Sequence, residues 1–227
     1  MKNMKFKVFG SLMAFVLLFS SAAFAAGNST FTQTINIGTL ATDIKDENRA
    51  TVASPGVTMS SKTFSFDCYS GGTASTGTFG TNTQRIYVTN PGAANNGWTL
   101  TLAATGGATA LWQNGGSTQN YDFNDTGGSG CTDGGDADSR GGQLTMDPNA
   151  GTLTADCGSC VTTNVSKGSS TAYDQGTTDS VTLLSAAAGS DDYWRGYLTG
   201  ATLSQTIPAE QSVDTYTINM TLTSTAL

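Results

Sequence analysis

Between Tyr121 and Gly142 the chain reads YDFNDTGGSGCTDGGDADSRGG and carries Asp122, Asn124, Asp125, Asp133, Asp136 and Asp138. Carboxylates this close repel one another unless water or a cation lies between them. Calcium takes about six to eight hard oxygen ligands on flexible backbone. Oxygens at alternate residues, with glycines that permit tight turns and carbonyl donation, supply that kind of ligand. The spacing is not that of an EF-hand, because no glutamate stands at the closing position. The functional expectation is a structural calcium ion on these six residues. The competing expectation is a solvated acidic loop organised by Asx-turns. The stretch cannot be helical, since each interior glycine would cost about 1 kcal/mol. Nor is it a plain strand, because Gly, Asp and Asn are depleted from strands. It is a loop, and a β scaffold must hold it.

Two other groups could do chemistry. Tyr193, Trp194 and Tyr197 lie beside Asp191 and Asp192. Exposed rings next to carboxylates can stack on a sugar, so these three are candidate ligand-binding residues; burial of Trp194 in a core is the alternative. The four cysteines, Cys68, Cys131, Cys157 and Cys160, form an even set. Behind an export signal such a set argues for disulfides. Of the three pairings, a local clip Cys157–Cys160 and a long-range staple Cys68–Cys131 are favoured. Zinc is disfavoured because the chain has no histidine. The same absence removes Ser-His and Cys-His nucleophiles. Aspartate pairs could serve a glycosidase, but nothing selects one, so the chain is read as non-catalytic.

The first residues explain the cysteine chemistry. Lys2, Lys5 and Lys7 precede an apolar run, Val8 to Phe19, and then Ala23-Phe24-Ala25. This is the pattern of a signal peptide over residues 1–25, followed by one domain over 26–227. The apolar run is too short for a membrane span, and no second run of membrane length follows. The formal net charge is −7. It becomes three units more negative once the signal lysines leave. Such a chain repels nucleic acid and anionic lipid. The expected product is secreted or held at the cell surface.

Strand signals recur between Gly, Asn and Pro. Thr30 to Ile37 alternates Phe31, Ile35 and Ile37 with polar residues, and Thr63 to Cys68 places Phe64 and Phe66 on one face. Arg85–Thr89, Trp98–Ala103, Gln143–Met146, Gly151–Ala155, Val161–Val165, Val181–Ser185, Tyr197–Gln205 and Thr215–Thr223 follow. Period-2 patterns of this kind mark half-buried strands. Many short strands without a convincing helix predict an all-β fold, an antiparallel β-sandwich of jelly-roll type with long Gly/Asp-rich loops, preceded by the signal-peptide helix. The expected core is Phe64, Phe66, Trp98, Leu100, Leu102, Leu183, Ile218, Met220 and Leu222. One helical turn is expected near Ala186-Ala187-Ala188.

Val88-Thr89-Asn90 precedes Gly97-Trp98-Thr99-Leu100-Thr101-Leu102; later come Val181 to Ala186, Trp194-Arg195-Gly196, Ile207-Pro208-Ala209 and Tyr216 to Thr223. In this order the chain resembles the WxL-domain proteins of bacterial cell surfaces over most of Phe31 to Thr223. Where that family carries a second Trp-x-Leu, this chain reads Met220-Thr221-Leu222. The resemblance implies a β-sandwich attached non-covalently to peptidoglycan. The closing strand also resembles secreted β-sandwich fibre subunits of the biofilm-matrix type, which implies assembly by strand exchange.

The function expected from all this is an exported, non-catalytic structural or interaction protein of the cell surface, wall-associated, surface-layer or fibre-forming. Its partners are copies of itself or a cell-wall glycan. The competing class is a secreted carbohydrate- or peptidoglycan-binding module. If the closing strand lies at a sheet edge, its free N–H and C=O groups can pair with another chain. Asn28 to Ile37, extended and near the new N-terminus, is the segment a neighbour would receive.

Overall fold

The computed structural model describes residues 32–92, 96–134, 139–190 and 193–227. The signal segment expected over 1–25 lies outside these, as do Phe31, Asp136, Asp138, Asp191 and Asp192. Residues 32–35 form no strand and are exposed. Residues Asn36–Leu227 form one compact unit.

That unit is all-β, built from antiparallel sheets that pack together. Its strands are numbered in chain order. The first sheet runs β1 (Ala41–Lys45), β3 (Arg85–Pro91), β12 (Tyr193–Thr199), β8 (Thr152–Ala155). The second runs β10 (Thr171–Ala172), β7 (Gln143–Asp147), β13 (Ala201–Thr206), β2 (Ser75–Phe79). The third runs β15 (Met220–Ala226), β4 (Trp98–Ala104), β11 (Ser180–Ala186), β9 (Val165–Lys167). A small fourth sheet joins β14 (Tyr216–Thr217), β5 (Trp112–Asn114) and β6 (Asn120–Tyr121).

Alternation explains the central strands. In β4, Trp98, Leu100, Leu102 and Ala104 are buried while Thr99 and Thr101 are half-exposed. β11 pairs with β4 through a bulge between Thr182 and Leu184. The extra residue lets both Leu183 and Leu184 face inward. The stretch Tyr197–Gln205, expected as one strand, is two. Gly200 has φ +79°, where a side chain would be strained, and its N–H donates to Gly80 O at 2.6 Å. There the chain leaves the middle of the first sheet and enters the middle of the second.

The core matches the expected residues in part. Trp98, Leu100, Leu102 and Leu183 are buried, and Trp98 packs against Trp194 at a tilt of 38°, with ring centroids 5.4 Å apart. Ile218, Met220 and Leu222 are half-buried and pack against this cluster. Phe64 and Phe66 are the correction: they are 47% and 76% exposed. Their segment is a loop. It touches the sheets through the bridge Tyr69↔Ile207 and the bond Glu210 N–H to Ser65 O. Alternation puts the two rings side by side, 5.1 Å apart, but it cannot supply a second layer to cover them. Residues 32–40 likewise form no strand, and 161–164 precede β9 rather than join it. The helical turn expected at 186–188 is absent: Ala186 ends β11, and Ala188-Gly189 is a plain turn. No helix among the described residues is long and apolar enough to cross a membrane.

Asp156 ties one end of the first sheet together. Arg49 donates to it through Nε at 2.7 Å and Nη2 at 2.8 Å. Tyr87 also donates to its carboxylate, and Arg195 Nε donates to its backbone carbonyl at 2.7 Å. The Arg49 bonds hold the Asp156 carboxyl down at about 2. A depressed carboxylate adds stability that is full above its unfolded value and is lost as pH falls through the folded one. Stability should therefore drop between about pH 4 and pH 2. Solvent screening at this partly exposed pair limits the effect to about 1 kcal/mol. Asp156→Asn should remove that part of the acid dependence, as read from urea midpoints across the pH range.

Candidate functional site

Of the six oxygen donors in the acidic loop, Asp122, Asn124 and Asp125 come together, and all are buried. Their side chains are turned to the backbone. Asp125 Oδ1 accepts the Gly127 N–H at 2.9 Å and Oδ2 accepts the Gly134 N–H at 3.1 Å. Asp122 Oδ1 accepts the Phe123 N–H, and Asn124 Nδ2 donates to Ala108 O at 2.8 Å. The main chain is stitched at the same points: Asp122 N–H to Gly141 O, Asp125 N–H to Gly142 O, and Leu144 N–H to Phe123 O. These groups fold the loop, which is the Asx-turn chemistry of short polar side chains. Asp133 is exposed. Among the described residues no three His, Cys, Asp or Glu side chains converge as metal ligands. The calcium expectation over all six residues includes Asp136 and Asp138, which lie outside the described residues. A melting temperature that rises in millimolar calcium supports it; one that does not change removes it.

Gly142 makes this stitching feasible. Its φ is +138°, and a Cβ there would lie 2.0 Å from Asp122 O. Gly142→Ala should cost about 2–3 kcal/mol by breaking the Asp122 and Asp125 braces. Urea unfolding measures the loss, and amide exchange over 122–144 should locate it.

The aromatic trio does not form one platform. Trp194 is 2% exposed and its Nε1–H donates to Val161 O at 2.9 Å. Tyr193 is exposed, and Tyr197 is half-buried beneath the Arg85 guanidinium, 4.6 Å from its ring centroid. The reason is the pleat. Trp194, Gly196 and Leu198 point inward along β12, so Tyr193 and Tyr197 point to the opposite face. The cysteines pair as favoured: Cys68 with Cys131 and Cys157 with Cys160, at Cα separations of 5.6 and 5.1 Å.

A further feature is one that residue types do not reveal. β15 pairs with β4 residue by residue, from Met220↔Ala104 to Ala226↔Trp98, and lies at the edge of its sheet. Beside it the sandwich opens into a cavity of about 550 Å³. Ile44 of β1, Val57, Met59, Trp112, and Met220 and Leu222 of β15 line it. A space of this size between apolar walls is far larger than the voids that close-packed cores leave. The residues just before β1 have the complementary character. Residues 32–39 are exposed throughout, with Ile35 at 89% and Ile37 at 67%. No family model, no curated protein and no solved structure matches this chain.

Proposed function

We propose that the mature chain is an exported, non-catalytic structural protein that assembles with copies of itself at the cell surface by donating a strand. The observation that supports this reading best is the apolar cavity beside the free edge of β15, in a chain whose segment before β1 is exposed and alternates apolar with polar residues. A neighbour's Asn28–Ile37 would pair its main chain with β15 and turn Ile35 and Ile37 into the cavity. Main-chain bonds would give affinity, and the pockets for alternate side chains would set register. Export is supported by the signal pattern and by two disulfides. The Thr, Ser and Gly content and the small share of charged residues, 12%, suit a surface protein whose copies must approach one another.

The test compares the mature chain with a deletion lacking Ala26 to Ile37, by sedimentation and electron microscopy. The intact chain should form polymers while the deletion stays monomeric. An intact chain that remains monomeric at all concentrations, yet sediments with a purified wall glycan, would replace assembly with wall binding.

A further inference from the structure

A second cleft lies between residues 62–69 and 207–216 and shares Tyr216 with the cavity beside β15. It has a volume of about 130 Å³. Phe64, Tyr69, Tyr121 and Tyr216 contribute rings to its lining, and Lys62 and Asp214 contribute charge. Tyr121 is 6% exposed and meets Tyr216 edge-on at 5.1 Å. The near wall is fixed by the Cys68–Cys131 disulfide and by the paired bonds between Tyr69 and Ile207, 2.9 and 3.0 Å.

Two of the three tyrosine hydroxyls here are engaged. Tyr69 OH donates to Thr63 O at 3.0 Å, and Tyr216 OH donates to Ser212 O at 2.7 Å. Gln211 Nε2 donates to Tyr216 OH at 2.8 Å. With those two hydroxyls tied back, the Tyr69 and Tyr216 rings are left as lining beside Phe64 and Tyr121. Asp214 is held in place as a carboxylate by Asn114 Nδ2 and the Thr215 N–H, each at 2.8 Å. Ring faces carry the negative part of the aromatic quadrupole and attract cations. The protein shows this attraction itself: Lys62 Nζ sits 5.5 Å from the Tyr69 ring centroid.

We infer that this cleft binds a quaternary ammonium group. Several rings around a small volume with one carboxylate suit a weakly hydrated cation whose methyl groups lie against ring faces. The net charge of −7 favours such a ligand over an anion. The Lys62 ammonium then acts as an internal competitor for the Tyr69 face. The inference does not rest on strand donation: the site uses neither β15 nor the segment before β1, and it shares only Tyr216 with the cavity.

The experiment titrates the full mature chain with choline chloride, with the uncharged tert-butyl analogue of choline, and with a glucose oligosaccharide, following amide shifts by NMR. A further arm sediments the chain with phosphatidylcholine vesicles. Choline should saturate at millimolar concentration, with shifts centred on 62–69 and 207–216, and the uncharged analogue should bind at least about tenfold more weakly. Phe64→Ala and Asp214→Asn should each weaken choline about tenfold, while Lys62→Gln should tighten it severalfold. Phe64 and Lys62 are exposed, so these two variants should keep the fold. Vesicle binding would assign the group to a lipid headgroup and its absence to a free ligand; either result agrees with the inference. Equal binding of the uncharged analogue, binding of the sugar instead, or no choline binding in both the native and Lys62→Gln chains would overturn it.

Discussion

Leu222→Asp should abolish assembly of the mature chain while leaving the monomer folded. Leu222 is half-buried, lines the cavity and sits on the edge strand, where it packs against the core without being enclosed by it. In the monomer an aspartate there can turn toward solvent, and the loss should be about 1–2 kcal/mol. In the assembly a neighbour's apolar strand would cover the same position. An ionised carboxylate would then be buried without a partner, which costs several kcal/mol. Affinity between copies should fall by at least about a hundredfold, since each 1.4 kcal/mol is a factor of ten. Thr223→Asp, on the exposed face of the same strand, should leave assembly much less affected. Sedimentation measures both. Equal loss in the two variants would show that added charge, and not the cavity, disrupts contact.

Removing the long-range disulfide should cost about twice the stability that removing the short clip does. Cys68 and Cys131 are 63 residues apart in sequence. Opening a loop of that size gives the unfolded chain about 4 kcal/mol of entropy at room temperature. Typical domain stabilities are only about 5–15 kcal/mol, so Cys68→Ser with Cys131→Ser should bring the protein close to unfolding. Cys157 and Cys160 are 3 apart, and their double serine variant should lose about 2 kcal/mol or less. Urea unfolding of the two double variants checks the order. A larger loss from the short clip would mean that native packing around Cys160, not chain entropy, carries the effect.

What could be read from the sequence follows from what periodicity encodes. The pattern WTLTLA in β4 states both the strand and its buried face, and Trp98, Leu100 and Leu102 are buried as it says. The pattern TFSF states only that two rings share a side. Whether a layer covers that side depends on residues 207–216, far along the chain, and Phe64 and Phe66 are exposed. Trp194 could have been placed from the alternation in Tyr193–Thr199, which separates it from its two tyrosine neighbours. Clustering in sequence was the misleading signal. The acidic loop was recognised as a loop from its glycines. The turning of Asp125 onto the Gly127 and Gly134 amides depends on backbone geometry that composition does not specify. The cavity beside β15 was beyond sequence reading altogether. Its lining comes from residues 42–59, 79, 102, 112, 144, 203 and 216–222, which no local motif links.

Strand donation is tested most directly by restoring the strand from outside. The deletion lacking Ala26 to Ile37 is mixed with a synthetic peptide spanning Asn28 to Ile37, and hydrogen exchange is followed along Met220–Ala226. Among the described residues β15 has a partner strand on one side only, so the amides that do not bond to β4 should exchange quickly in the deletion. The peptide should slow those amides and those near Met59, in a one-to-one complex, and the same peptide with Ile35 and Ile37 changed to serine should not. Exchange along β15 that is unchanged by saturating native peptide, or protection that appears at another sheet edge such as β8, would contradict strand donation.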